Sequence, residues 1–192
     1  MPSEYNKIII ITAPSGAGKT SITSHLLKVF SNELAFSVSA TTRRKRDHEI
    51  DGQHYYFLNE DEFRERIRRK EFAEWEMVYE GKYYGTLKSE LKRIWNDGKA
   101  PVLDIDVKGA VHVQGQYPEQ TISIFIEPPS IDELKKRLMS RGTETPESLA
   151  SRVNKASYEI SFKDQFDKVI VNADLENACR EAESIVKDFL ET

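Results

Sequence analysis

Ile8-Ile9-Ile10-Ile11-Thr12-Ala13-Pro14-Ser15-Gly16-Ala17-Gly18-Lys19-Thr20-Ser21 decides the fold. An apolar, β-branched run stops at a Gly-rich turn, and Gly-Lys-Thr opens a helical pattern. Strand, loop and helix in that order are the setting of a phosphate-binding loop. Gly16 and Gly18 let backbone N–H groups curl around phosphate oxygens, and the helix that follows places its positive end beneath the same anion. Lys19 is expected to reach the β- and γ-phosphates of a nucleotide, and the Thr20 hydroxyl to ligate Mg²⁺. The general pattern G-x-x-x-x-G-K-[ST] is broken once: Ala13 stands where the first Gly is usual.

The strand before the loop, read at residues 7–12, is apolar throughout, as a parallel strand buried on both faces is. A helix is expected over residues 18–30, with Ile22, Leu26, Leu27 and Phe30 at helical spacing. Beyond it, strand and helix patterns alternate to the end of the chain. Strands are read at 34–38, 102–106, 121–126 and 169–171, and helices at 87–96, 107–116 and 175–190. That alternation gives a right-handed parallel α/β core. Strand 102–106 ends in Asp104 and Asp106, at the carboxyl edge where such a sheet collects its ligands. Residues 97–101, with Asp97-Gly98 and Pro101, are read as a break before it.

Residues 37–86 differ in character. Asp51-Gly52 signals a turn, and 54–58 alternates around aromatics like a hairpin strand. Asn59 with Glu62 is a capping box that starts a helix to about residue 70. Residues 71–79 and 82–85 read as two strands joined by Glu80-Gly81. The run Arg43-Arg44-Lys45-Arg46 is open to two readings, a solvated loop or an anion site. Further on, Ser130 with Glu133 reads as a capping box, Gly142–Thr145 as a polar hinge, and Thr145-Pro146 as the cap and first turn of another helix.

Bulk properties narrow the rest. The 192 residues suffice for one α/β domain with smaller appendages, and 31% charged against 39% hydrophobic is an ordinary soluble mixture. A net charge of −4 argues against a nucleic-acid partner and requires any nucleotide site to concentrate positive charge locally. The single Cys179 excludes an internal disulfide and reads as a small apolar residue of the last helix. The four histidines show no metal-ligand spacing. No apolar run of membrane-spanning length exists, and the first residues lack a signal-peptide core, so the expected location is the cytoplasm, with no membrane partner.

With these residues laid out, the whole chain resembles the guanylate kinase family. The signatures are Ala-Pro-Ser-Gly-Ala-Gly-Lys at 13–19, Ser-Val-Ser-Ala-Thr-Thr-Arg at 37–43, Gly-x-x-Tyr-x-Phe at 52–57, Tyr-Tyr-Gly-Thr at 83–86, Leu-Asp-Ile-Asp at 103–106, Phe-Ile-Glu-Pro-Pro-Ser at 125–130 and Ile-Val-Asn at 170–172. Ala13 is what that family usually carries.

The resemblance implies phosphoryl transfer from ATP–Mg²⁺ to GMP, in purine nucleotide metabolism and GTP supply. It implies a parallel-sheet core (1–36, 87–128, 160–192), an inserted, mostly antiparallel GMP-binding subdomain (37–86) and a helical lid (129–159). ATP would lie on Ala13, Pro14, Ser15, Gly16, Ala17, Gly18, Lys19, Thr20 and Ser21, with Asn172. GMP would be lined by Ser39, Arg43, Arg46, Tyr55, Glu74, Tyr84, Thr86 and Asp106. Lys19 and the lid arginines Arg137, Arg141 and Arg152 would carry the catalysis, and Thr20 with Asp104 the metal. The expected partners are thus the two nucleotides, and the oligomeric state, monomer or dimer, is left open.

Two departures stand out. One residue more than expected separates Glu74 from Tyr83-Tyr84, near Glu80-Gly81, which makes Glu76 a rival to Glu74 on the same strand face. Lys45 replaces a frequent Pro.

Elementary chemistry favours a carboxylate in the Glu74 role. Guanine offers N1–H and N2–H₂ side by side, and one carboxylate accepts from both, whereas adenine meets it with a lone pair. Three other readings are weaker. A GTPase would match Asp106-Val107-Lys108-Gly109, but Asn154-Lys155-Ala156-Ser157 fails the guanine motif at its last position. A peptide-binding scaffold of this fold would be expected to lose Lys19, Thr20 and the arginines. A sugar-phosphate kinase would be expected to lose Ser39, Glu74 and Thr86.

Overall fold

The buried run at the start of the chain is the middle of the molecule. In the computed structural model, which describes residues 6–140 and 145–192, β1 (Ile8–Thr12) is flanked on both sides by parallel neighbours. These are β7 (Ala100–Asp104) and β8 (Thr121–Glu127), and the sheet is completed by β2 (Leu34–Phe36) and β9 (Lys168–Val171) in the order β2-β7-β1-β8-β9. Four consecutive isoleucines fit because the strand has two apolar faces to fill. Ile9 and Ile11 pack with Ile22 and Leu26 of α1 (Lys19–Val29) and with Ala182 and Val186 of α7 (Leu175–Glu191). Ile8 and Ile10 pack on the opposite face with Leu91 of α3 (Lys88–Asn96) and with Ala110 and Val113 of α4 (Val107–Gln116). Cys179 is buried in the first of these layers.

A second sheet stands beside the first, in the order β4-β3-β6-β5. Its strands are β3 (Ala40–Thr41), β4 (Tyr56–Phe57), β5 (Phe72–Tyr79) and β6 (Lys82–Leu87). Between them α2 (Glu60–Arg68) buries Phe63 against Phe72 and Tyr83, and Asn59 closes the expected capping box with Glu62. Two further helices, α5 (Ile131–Ser140) and α6 (Pro146–Ile160), pack on each other through Leu134, Leu138 and Ala156. Thr145 caps α6 with Pro146 in its first turn, as its sequence signals. The hinge at 142–144 lies outside the described residues.

Four readings are corrected. Residues 54–58 are not a hairpin arm: β4 is two residues long and runs parallel to β3. The fourteen residues between them are ample for the chain to turn back and re-enter in the same direction, and Asp51 ties the return by accepting from the Phe57 N–H. Strand β7 starts at Ala100, not Val102, and includes Pro101. The Ala100 N–H and the Val102 carbonyl are both bonded toward the β2 side, so Pro101 faces β1, whose ladder begins only at Val102. The missing donor therefore leaves no gap. Asp106 is not the end of that strand but the N-cap of α4, its carboxylate accepting from the Gly109 N–H at 2.8 Å. Finally, β2 stops at Phe36, because the Val38 N–H is taken by the Glu90 carboxylate at 3.0 Å.

Candidate active site

Two cavities meet over the carboxyl edge of the parallel sheet. The first, of about 430 Å³, is lined by Ala13, Pro14, Ser15, Gly16, Gly18, Lys19, Thr20 and Ser21. Asp104, Ile105, Asp106, Arg152, Lys155 and Glu159 complete its lining. Gly18 is the N-cap of α1 at φ 101, a left-handed conformation only glycine adopts freely. A Cβ there would also lie 2.2 Å from Asn172 Nδ2. Asn172, at the end of β9, donates that amide to the Ala17 carbonyl at 2.8 Å. It thus pins the loop from behind rather than lining the cavity. The Ala17 N–H donates to the Pro14 carbonyl and closes the turn. The bare N–H groups of the first turn of α1 face the cavity as an anion-binding end.

The second cavity, of about 420 Å³, lies against the second sheet. Ser39, Tyr55, Glu74, Tyr84 and Asp106 of the expected set line it, with Glu76. Glu74 is buried, and burial pushes its carboxyl up to about 7, against the opposing hydrogen bond from Thr86. Thr86 Oγ1 donates to Glu74 Oε1 at 2.7 Å. The rivalry with Glu76 is thereby sharpened: both face the cavity, but Glu74 is buried and held by a hydroxyl. The β5–β6 ladder carries two irregularities, between Phe72 and Glu74 and between Met77 and Tyr79, and Glu74 pairs with Thr86 in the regular stretch between them.

Arg43 stacks over the Tyr55 ring, 5.2 Å from its centroid, and forms a two-pronged pair with Glu49 at 2.8 and 2.6 Å. Arg43 is thus held in a folded pair, while Arg44, Lys45 and Arg46 are exposed. Glu49 also accepts from the Arg46 N–H, and the Arg43 guanidinium holds its carboxyl down to about 2. The Arg46 side chain itself is exposed. Glu90 does a similar tying job: it accepts from Val38 N–H, Tyr56 hydroxyl and Arg93, joining both ends of the 39–55 excursion to α3. Burial raises its carboxyl, but those donors outweigh burial and lower it.

Sequence reading missed Glu49, Glu90 and Gly109. A lone Glu six residues beyond Arg43 was the signal for the first. Gly109 matters because a Cβ on it would sit 2.8 Å from Glu74 Oε2; the bare backbone of α4 makes room for the carboxylate.

The cavities share Lys19, Asp104, Ile105, Asp106 and Lys155. Lys19 forms an ion pair with Asp104. Thr20 and Asp104 line the same cavity and supply hard oxygen donors of the kind Mg²⁺ takes. Arg152 of α6 reaches over and donates to Ser15 Oγ at 2.9 Å. Arg137 is turned elsewhere: it donates to the Asn172 carbonyl at 3.0 Å and lines neither cavity. Arg141 lies outside the described residues.

A phosphate cradle fused to a second pocket with a buried carboxylate is the arrangement of a phosphotransferase with two substrates. A family model described as guanylate kinase matches residues 5–189. The chain belongs to the guanylate kinase family. The guanylate kinase of Bacteroides fragilis is 50% identical over 184 residues, covering 96% of this chain and 90% of that protein. That of Thermotoga maritima is 46% identical over 181 residues, covering 94% and 86%. Among solved structures, a guanylate kinase from Anaplasma phagocytophilum superposes with a TM-score of 0.76 at 31% identity, covering 97% of this chain and 87% of that one. The guanylate kinase fold thus accounts for both sheets and the α5–α6 pair. No helix among the described residues is long and apolar enough to cross a membrane.

Proposed function

We infer that the loop cavity takes ATP and the carboxylate cavity GMP, in the family's reaction, ATP-dependent phosphorylation of GMP to GDP. The observation that supports it is the seam: two cavities, one a backbone cradle and one a carboxylate pocket, open onto the same Lys19 and Asp106. A GMP phosphate oxygen forms a bond to the γ-phosphorus of ATP. The bond from that phosphorus to the β,γ-bridging oxygen breaks, and ADP leaves with its electron pair. The attacking oxygen is already anionic near neutral pH, so no base or covalent nucleophile is needed. Catalysis is positioning and electrostatics.

Glu74 accepts from guanine N1–H and N2–H₂, with Ser39 and Thr86 beside it and the Asp106 carboxylate at the same wall. Arg43, Arg46, Tyr55 and Tyr84 receive the GMP phosphate. Residues 13–21 wrap the ATP phosphates, with Asn172 holding the loop. Lys19 and the lid arginines Arg137, Arg141 and Arg152 meet the charge on the transferred group. An arginine in that position is worth about 10³–10⁵ in rate. Arg137 has to leave the Asn172 carbonyl to do so, which makes closure of the α5–α6 lid part of the cycle. Mg²⁺ would be held at Thr20 and Asp104, and when bound it neutralises phosphate charge. The same reading divides the chain into the core, the 37–86 GMP-binding subdomain and the 129–159 lid, working in the cytoplasm.

The test is ADP release from ATP–Mg²⁺ with GMP, AMP, UMP, CMP or water as acceptor. Turnover with GMP and background rates with the others are expected. Equal turnover with AMP would remove the role given to Glu74.

A further inference from the structure

Lys155 lies on α6 three residues beyond Arg152, on the same face of the helix. It lines both cavities. Among the described residues at the seam, Lys19 and Lys155 are the two cations, against Asp104 and Asp106, and Glu159 adds a third carboxylate at the edge of the loop cavity. Lys19 is already engaged by Asp104. Lys155 pairs with Glu159 one turn on, at 3.8 Å, and its side chain is 61% exposed. Glu159 is itself buried, its side chain 9% exposed, so the pair meets solvent only at the lysine end, and at 3.8 Å it is longer than a hydrogen bond. The ammonium can therefore turn toward a phosphate anion that attracts it more strongly. A compact charge on a flexible four-carbon stem also suits a group that changes position during the reaction.

We propose that Lys155 is a catalytic residue of the phosphoryl transfer: its ammonium swings from Glu159 to the phosphate oxygens that bridge the two cavities. There it stands opposite Lys19 and gives hydrogen bonds that strengthen as charge spreads over the transferred group. It neither gives nor takes a proton. The proposal rests on the assignment of the two cavities to ATP and GMP, and the wild-type rate tests that assignment separately.

Lys155→Met, Lys155→Gln and Lys155→Arg are compared with wild type by steady-state kinetics, thermal melting and binding of an adenosine–guanosine pentaphosphate that spans both cavities. For Met and Gln, loss of one charge-assisted hydrogen bond predicts a kcat lower by about 10- to 100-fold. KM for ATP and for GMP should move less than about threefold, because the interaction is made chiefly in the transition state. The bridging ligand should bind about tenfold more weakly, while ATP alone and GMP alone bind nearly as before. Arg should restore most of the rate. A kcat within about twofold of wild type, with only a lower melting temperature, would show that Lys155 merely pairs with Glu159 along α6 and overturn the proposal. Absence of GMP-dependent turnover in the wild type would instead overturn the assignment of the cavities.

Discussion

The two cavities are built by opposite means. The loop cavity takes eight of its lining residues from one short stretch, 13–21, and the rest from Asp104–Asp106 and α6. The carboxylate cavity is lined by residues gathered from β2, Ser39 ahead of β3, the 42–55 excursion, β5, β6 and the cap of α4. A backbone cradle recognises any phosphate and tolerates no change of conformation. A side-chain pocket recognises one base and can be retuned residue by residue. On the proposed assignment of the cavities, specificity lies with the second sheet and the generic chemistry with the first.

Gly18→Ala should have the largest effect and strike one side only. A left-handed φ and a 2.2 Å clash with Asn172 Nδ2 force the loop open. ATP affinity should fall by at least about 100-fold by calorimetry while GMP binding survives, since two or more phosphate hydrogen bonds are lost. Equal loss on both sides would mean that the cavities are one cooperative unit.

Glu74→Gln should do the reverse. It replaces one of two acceptors by a donor, and kcat/KM for GMP should drop about 10²–10³-fold with KM for ATP unchanged. The same variant sharpens the comparison through pH. With the carboxyl at about 7, protonation competes with guanine, so GMP binding should weaken as pH falls below about 7. The limit is about tenfold per unit, and the part due to Glu74 should be missing in the variant. For stability the sign runs the other way. A carboxyl raised from 4.5 binds more protons folded than unfolded between pH 4.5 and 7, so its contribution to stability is lost as pH rises through that window. Glu74→Gln should therefore melt higher than wild type at pH 8, by up to about 3 kcal/mol of stability, with the gap closing toward pH 4.5.

Gly109→Ala should be the mildest, about tenfold on KM for GMP with kcat and ATP nearly unchanged, because the new methyl displaces Glu74 without removing it.

The same contrast explains what could be read from the chain beforehand. Residues 8–21 announce themselves because strand, loop and helix are contiguous and each obeys a local rule. Glu74 is singled out only through the family likeness, since nothing in Glu-Trp-Glu distinguishes the first carboxylate from the second; burial beside Thr86 and α4 sets it apart. Glu49 and Lys155 carry ordinary surface identities, and their placement depends on partners supplied by the fold. Pro101 and the two-residue β4 were misread because local signals cannot tell which side of a strand needs a donor, or from which direction a short strand arrives.

Asn172 has a consequence for the order of biosynthesis. Its amide reaches the Ala17 carbonyl across 155 residues, so the loop, once synthesised, waits for the residue after β9 before its backbone is fastened. At about 5–20 residues per second that wait lasts roughly ten to thirty seconds. An incomplete nascent chain carries every residue of the phosphate motif without the fastening that gives the motif its shape. Fastening of the loop is thus tied to the synthesis of Asn172 rather than to completion of the motif.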